Sequence, residues 1–295
     1  MATTEETQYI NLVKHILETG SYEETRNGAT RTVFGNMMRF SLDRGRIPIL
    51  TTKKMAWKTC FRELQFFLRG QTDTRILENQ GVNIWSLNST REFLDSRGLH
   101  HYPEGALGPV YGYQWRHYGA KYDPTTGAPS KDGSQGIDQL QQIIDSLKCP
   151  ETRSSRRHIL TAWNPEQIDE MALPPCHLLA QFHVRDGKHL SCALYQRSGD
   201  VGLGVPFNIA SYSFLTHLLA KHCGLEAEEF VYFLGNAHIY ENHVQALCEQ
   251  IERTPFAFPE IEIATQHKRI EDYELEDIVF RTPYRCHGQI RMPLS

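Results

Sequence analysis

Long apolar runs are missing. No stretch of the 295 residues approaches the roughly 20 consecutive apolar positions that a membrane-crossing helix requires, so no membrane association is expected. Paired cysteines are missing too. Seven cysteines, an odd number with no Cys-x-x-Cys pair, fit reduced thiols in a cytoplasmic compartment better than a disulfide framework. There is no basic excess: a formal net charge of −4 argues against a generic polyanion binder, so no specific nucleic-acid partner is expected. The segment from Met1 to Thr7 is polar and acidic, which excludes a signal peptide from the expectations. Repeats and low-complexity tracts are absent. The glycines of Gly199-Asp200-Val201-Gly202-Leu203-Gly204 match neither phosphate-loop fingerprint and read as a turn that brings backbone close to something flat. His217 and His222, like His238 and His243, stand five apart, a poor spacing for two ligands on one helix face, so no metal is expected.

What remains is an ordinary soluble composition, 40% hydrophobic and 22% charged, long enough to bury a sizeable core. The clearest loop, 122–136, is rich in Pro, Gly, Ser and Thr and reads as a surface insertion in one domain spanning 1–295, since the chemistry below draws on both sides of it. Ile10, Val13, Ile16 and Leu17 share one helical face. Trp57, Phe61, Leu64 and Leu68 form a second stripe, and Ile137, Leu140, Ile143, Ile144 and Leu147 a third. A long apolar helix is expected from near Phe207 to Cys223, stopped by Gly224. Strands are expected over Arg157–Trp163, Leu179–Val184, Leu190–Tyr195 and Phe230–Phe233, with Asp186-Gly187 as a hairpin turn. Helices mixed with hairpin-linked strands point to an α+β fold.

Chemistry concentrates in Leu173-Pro174-Pro175-Cys176-His177, in Gln196-Arg197-Ser198-Gly199-Asp200 twenty residues on, and in Pro206-Phe207-Asn208. A free thiol is only about 3% thiolate at neutral pH, so a nucleophilic Cys176 needs positive charge nearby. Arg197, Arg156, Arg157 and Arg26 are candidates, and guanidinium groups also hold phosphate by bidentate, charge-assisted hydrogen bonds. Read alone, Arg156-Arg157 is better taken as a solvated surface pair. Adjacent strand residues face opposite ways, so His177 suits an orienting role better than that of a base for Cys176. Glu63 interrupts the Trp57–Leu68 stripe, either as a surface glutamate or as a buried carboxylate whose pKa burial would raise into the proton-transfer range.

These motifs, with Ile49-Leu50-Thr51-Thr52-Lys53-Lys54, Gly108-Pro109-Val110-Tyr111-Gly112-Tyr113-Gln114-Trp115-Arg116, Ala162-Trp163-Asn164-Pro165, Pro206-Phe207-Asn208-Ile209-Ala210-Ser211-Tyr212 and Ala237-His238-Ile239-Tyr240, resemble the thymidylate synthase family from about Tyr9 to Met292. The resemblance implies a single α+β catalytic domain with a large twisted mixed sheet, one face of which forms a homodimer interface. It also implies reductive methylation of dUMP to dTMP, with 5,10-methylenetetrahydrofolate as co-substrate giving both the carbon and a hydride. Cys176 would add to uracil C6 and make C5 electron-rich. Arg26, Arg197 and Ser198 would hold the phosphate, joined by Arg156 and Arg157 of the other subunit. Asn208 would read the uracil edge, His238 and Tyr240 would bind the ribose, and His177, Gln196, Gly199 and Asp200 would complete the nucleotide site. Glu63, through ordered water, and Tyr111 would handle protons. On the folate side, Asp200 would bond the pterin, while Ile84, Trp85, Leu203, Gly204 and Phe207 would pack its rings. Asn88 would line that pocket, Lys53 would favour the glutamate tail, and Leu294 and Ser295 would belong to a lid near 288–295.

Three positions depart from the family pattern: Ser86 where Asp is usual, Asn236 in place of Asp before Ala237-His238, and a polar ending, Gln289-Ile290-Arg291-Met292-Pro293-Leu294-Ser295, where a short apolar tail is usual, preceded by Cys286-His287-Gly288 where Pro-His-Pro is usual. A looser lid would admit water before the hydride arrives. Two rivals follow: a pyrimidine nucleotide 5-hydroxymethylase using the same folate, and a non-enzymatic nucleotide- or RNA-binding module. A binder has no need of a thiol beside those arginines.

Overall fold

A computed structural model of the chain describes residues 4–25, 28–131 and 133–293. In chain order, helix α1 (Thr7–Thr19) leads to strands β1 (Ser21–Thr25) and β2 (Gly28–Ser41), then helices α2 (Trp57–Leu68), α3 (Arg75–Glu78), α4 (Arg91–Ser96) and α5 (Gly112–His117). The two-residue strands β3 (Tyr122–Asp123) and β4 (Ala128–Pro129) precede helix α6 (Gln139–Lys148) and strands β5 (Ile159–Thr161), β6 (His177–Arg185) and β7 (His189–Asp200). Helix α7 (Gly204–Cys223), strand β8 (Glu226–Tyr240), helix α8 (Val244–Ile251) and strands β9 (Ile261–Ile263) and β10 (Ile278–Phe280) complete the order. The fold is α+β.

Its centre is a six-stranded mixed sheet in the order β1-β2-β8-β7-β6-β5. Every neighbouring pair is antiparallel except β7 and β8, which run parallel. Parallel neighbours need a crossover, and α7 supplies it. That helix is apolar all round and buried along almost its whole length, as a helix passing through a core must be. It packs on β7, β8 and α2, while α1 covers β2 and β8. Gly224 ends α7 in the left-handed conformation (φ 69°), where a side chain would be strained.

Residue alternation divides the sheet's two faces. Leu194, Tyr232 and Met38 are cross-strand neighbours and face the helices, fully buried. One residue along each strand, Tyr195, Phe233 and Met37 form the matching row on the other face, each 42–50% exposed. That uncovered row is as apolar as the covered one.

Several sequence expectations shift. The strand expected over Arg157–Trp163 shrinks to Ile159–Thr161, because the chain turns into Asn164-Pro165, and a proline cannot donate to a ladder. The strand expected over Phe230–Phe233 extends to Glu226–Tyr240, and β1 and β2 were not anticipated. Ile137 precedes α6 and is 50% exposed, paired with Tyr118 rather than packed on the helix stripe. Gly199 lies on β7, and the turn is confined to Val201-Gly202-Leu203. Asp186 and Gly187 both take left-handed φ values, 54° and 67°, as the hairpin requires. Among the described residues no helix is long and apolar enough to cross a membrane.

Candidate active site

A cavity of about 330 Å³ opens where the ends of β6, β7 and β8 meet the first turn of α7. Cys176, half-buried, stands directly before β6. Pro174 and Pro175 lack amide hydrogens and cannot join a ladder, which leaves their carbonyls as acceptors. Arg197 of β7 takes both: Nε donates to the Pro175 oxygen at 2.9 Å and Nη2 to the Pro174 oxygen at 3.0 Å. The same Nη2 lies 3.8 Å from the Cys176 sulfur. Burial pushes the thiol pKa up, and Arg197 pulls it the other way without overcoming that burial. The arginine-activated thiol expected from sequence therefore has Arg197 beside it among the described residues, and desolvation wins.

Tyr111 caps the start of α5 with φ at +33°, a strained backbone for a side-chain-bearing residue. The strain aims its hydroxyl at the nucleophile, where it accepts the Cys176 backbone N–H at 2.9 Å. Burial raises its pKa far above the ordinary range, so it stays protonated. The buried His177 ring stacks on Tyr111 at 4.0 Å, and its Nδ1 pairs with the Tyr212 hydroxyl at 2.7 Å. Burial depresses the His177 pKa to about 3, which makes it a poor base and a fixed neutral spacer.

Glu63 projects from α2 into the cavity and is buried, which decides between the two sequence alternatives. Burial raises its pKa to about 7, against a 2.7 Å hydrogen bond donated by Trp85 Nε1 to Oε1. A carboxyl poised there can exchange protons in either direction at neutral pH. Asn208, one turn into α7, lines the cavity with an amide that makes no hydrogen bond to the described residues. Gln196 also lines it, but its amide is used internally: Oε1 accepts from the Tyr232 hydroxyl at 2.6 Å, and Nε2 donates to the Ser198 carbonyl at 2.9 Å. Parallel pairing of β7 with β8 sets Ser198, Gly199 and Asp200 beside Asn236, Ala237 and His238. Gly199 has no room for a side chain, since a Cβ there would sit 2.8 Å from Leu234 and Val205. Asp200 Oδ1 accepts the Gly202 and Leu203 amides at 2.8 and 3.3 Å, fixing the turn into α7.

The remaining candidates divide. Ile84, Trp85, Leu203, Gly204, Phe207, Ser198 and Tyr240 line the cavity, and so does Leu173, which the sequence reading quoted without giving it a role. Asn88 and His238 do not line it. His238 sits beside it, with Nδ1 2.9 Å from Asn236 Oδ1. Arg156 and Arg157 are exposed on the turn before β5 and do not reach this chain's cavity. Lys53, expected to favour the glutamate tail, is buried and donates to the Gly202 carbonyl, its pKa lowered by burial to about 8. Arg26, Leu294 and Ser295 lie outside the described residues. A larger cleft of about 420 Å³ lies elsewhere, between α2, α5 and the 269–274 segment. Its charges neutralise one another, Arg116 with Asp138 and Glu271, Arg269 with Glu271, and Arg69 with Glu274, and it holds no nucleophile.

A family model described as thymidylate synthase matches residues 7–295. Thymidylate synthase 1/2 of Encephalitozoon cuniculi (strain GB-M1) is 49% identical over 298 residues, covering 98% of this chain and 97% of that protein. Thymidylate synthase of Herpesvirus ateles is 48% identical, covering 98% of each chain. The bifunctional dihydrofolate reductase-thymidylate synthase of Leishmania major is 49% identical over 99% of this chain, which spans 55% of that longer protein.

Proposed function

The chain belongs to the thymidylate synthase family, and from that premise we propose how its cavity turns dUMP into dTMP. The enzyme is a methyltransferase that uses 5,10-methylenetetrahydrofolate as co-substrate. Residues 1–295 serve as one catalytic domain. The observation that carries the residue assignment is that Cys176, Glu63 and the Asn208 amide line one cavity, with Arg197 behind the lining and 3.8 Å from the Cys176 sulfur.

In this reading the Cys176 sulfur adds to uracil C6 and makes an enolate with carbanion character at C5, which takes up the folate methylene. Phosphate docking beside Arg197 and Ser198, with Arg26 contributing, places C6 over the sulfur. Asn208 donates to O4 and accepts from N3–H, a pattern that cytosine cannot satisfy. Glu63, through water, and Tyr111 manage the proton at O4 and its removal from C5. Tetrahydrofolate is then eliminated from the methylene and, still beside it, gives up a hydride to become dihydrofolate; the hydride completes the methyl group as the sulfur is expelled from C6. Asp200 anchors the pterin, and Ile84, Trp85, Leu203 and Phe207 form its apolar wall.

The active unit is a homodimer joined through the sheet's uncovered face. Three observations support it: the Tyr195–Phe233–Met37 row, the neighbouring Phe34 at 82% exposure, and the outward Arg156 and Arg157, which suit a second copy's phosphate site. The hydroxymethylase alternative is not favoured, since these relatives are named as synthases. Incubation with 5-fluoro-dUMP and the folate should leave an adduct on Cys176 by mass spectrometry. Turnover of dUMP should give dTMP and dihydrofolate in equal amounts, whereas hydroxymethyl-dUMP with tetrahydrofolate would defeat the proposal.

A further inference from the structure

Asp200 has a second neighbour that the mechanism does not use. His243 is fully buried just ahead of α8. Its Nε2 bonds the carbonyl of Pro293 at 2.7 Å, in the C-terminal tail. Its Nδ1 lies 3.6 Å from Asp200 Oδ1, close enough for an ion pair, and is a buried nitrogen with no hydrogen-bond partner among the described residues. A Cβ placed on Gly202 would fall 2.6 Å from that Nδ1, 3.1 Å from the Met292 sulfur and 3.2 Å from Asp200 Oδ1. The turn into α7, the tail and the His243 ring therefore meet at a single point, and the Gly202 peptide is pinned on both sides, its N–H by Asp200 and its carbonyl by Lys53.

We infer that His243 is a positioning residue that ties the C-terminal tail to Asp200 on the folate side of the cavity, and that the tie holds only while the imidazole is protonated. The inference rests on the proposed role of Asp200 with the pterin. A carbonyl only accepts, so Nε2 must carry the hydrogen that bonds Pro293. A neutral ring then turns a bare lone pair towards a carboxylate in a buried, low-dielectric spot. A protonated ring donates in both directions, one bond to the tail and one charge-assisted contact to Asp200.

The charged groups around the ring bear this out. Burial opposes the charge, Asp200 and the Pro293 carbonyl favour it, and Lys53 opposes it; the balance raises the His243 pKa. His238 repels it through space, and the Tyr240 ring packs edge-on at 5.6 Å. Because the pKa is raised, the tie is complete at acid pH and is lost as pH climbs through the raised value. On loss of the proton the ring must turn from Asp200, and the Pro293 bond goes with it.

His243→Gln tests this, since glutamine is uncharged at every pH and cannot supply the charge-assisted contact to Asp200. The quantity to measure is the variant-to-parent ratio of KM for 5,10-methylenetetrahydrofolate from about pH 6 to about pH 9. It should stand about tenfold above one at the acid end and fall to one at the alkaline end, with KM for dUMP unchanged. A ratio that stays flat, or an equal rise in KM for dUMP, overturns the inference.

A second measurement needs no catalysis. Carboxypeptidase release of the tail, normalised to a free peptide of the same sequence, should be slow for the parent at acid pH and speed up as pH rises. A normalised rate that does not change with pH overturns the inference, whether or not the variant folds. Failure of the parent to form the 5-fluoro-dUMP adduct would instead strike the functional reading beneath it.

Discussion

The two walls of the cavity are built on different plans. On the thiol wall the polar groups are already engaged within the protein: Arg197 on two proline carbonyls, Tyr111 on the Cys176 amide, His177 on Tyr212 and Gln196 on Tyr232. The opposite wall is apolar and partly open, with Ile84 at 37% exposure, and it is joined to the tail chiefly at the point where Gly202, Asp200 and His243 meet. Groups fixed in advance lose little entropy when bonds are made against them, which suits a wall where charge develops. An apolar wall gains when a large flat ligand covers it and water leaves, which suits the co-substrate and a closing tail. In the proposed reading, bond-making geometry is stored in the fold and the folate side is completed on binding.

Substitutions on the thiol wall should therefore strike rate far more than affinity. Cys176→Ser should lower kcat by at least about 10³-fold and abolish the 5-fluoro-dUMP adduct. Equilibrium binding of dUMP should stay within about threefold, because a hydroxyl fills nearly the same space and Arg197 is held by other acceptors. A large loss of dUMP affinity would show the sulfur to be a structural contact. Glu63→Gln should lower kcat by about 10²-fold or more with little change in KM for dUMP. It should also remove a kcat inflection near pH 7, the value to which burial lifts this carboxyl. An inflection that survives the substitution would assign it to another group.

How much of this was legible beforehand depends on how local each signal is. The stripes of α2 and α7, the stop at Gly224 and the Asp186-Gly187 turn depend on neighbours within a few residues, and they were readable. Strands β2 and β8 were not, or only in part. Their outward faces carry Phe34, Met37 and Phe233, so the alternation of apolar and polar that marks a half-exposed strand is erased. Gly35, at φ 83°, interrupts β2 as well. In the site, Cys176 stands just before β6 beside Arg197 of the neighbouring β7, and both segments are conspicuous in the sequence. Glu63 could not be settled from α2 alone, because its burial depends on Trp85 arriving from 22 residues away. The burial of Lys53 was out of reach for the same reason: its partner carbonyl lies 149 residues along the chain. In sequence His243 is only an ill-spaced metal ligand, and nothing local connects it to Pro293, 50 residues on.

A smaller effect is expected at the base-reading position. Asn208→Asp should reduce the preference for dUMP over dCMP by about ten- to a hundredfold, measured as the ratio of kcat/KM values, because a carboxylate accepts from the cytosine amino group and repels O4. The structural condition is met, since the Asn208 side chain lines the cavity and makes no hydrogen bond to the other described residues. Undiminished discrimination would move base reading to another residue.

The smallest effect concerns stability, and it sharpens the contrast by asking what the rigid wall costs in acid. The pKa of His177 is depressed from its ordinary 6.5 to about 3, and that of His217 to about 4, both by burial. A depressed pKa means that the fold prefers the neutral ring, so each contribution is present above about pH 6.5 and is lost as pH falls towards the folded value. Glu63 works in the opposite sense, since its raised pKa of about 7 favours the fold below its ordinary 4.5 and loses that advantage as pH rises. Between 4.5 and 6.5 the two histidines outnumber the one carboxyl, and among these three groups the fold should weaken on acidification. Removing His177 takes one proton from the balance. The melting temperature of His177→Gln, which keeps a polar partner for Tyr212, should then fall less steeply with acid than the parent's, by about 3 °C per pH unit. Parallel slopes for parent and variant would mean that His177 is protonated in the folded protein, and its place as a neutral spacer under Tyr111 would have to be given up.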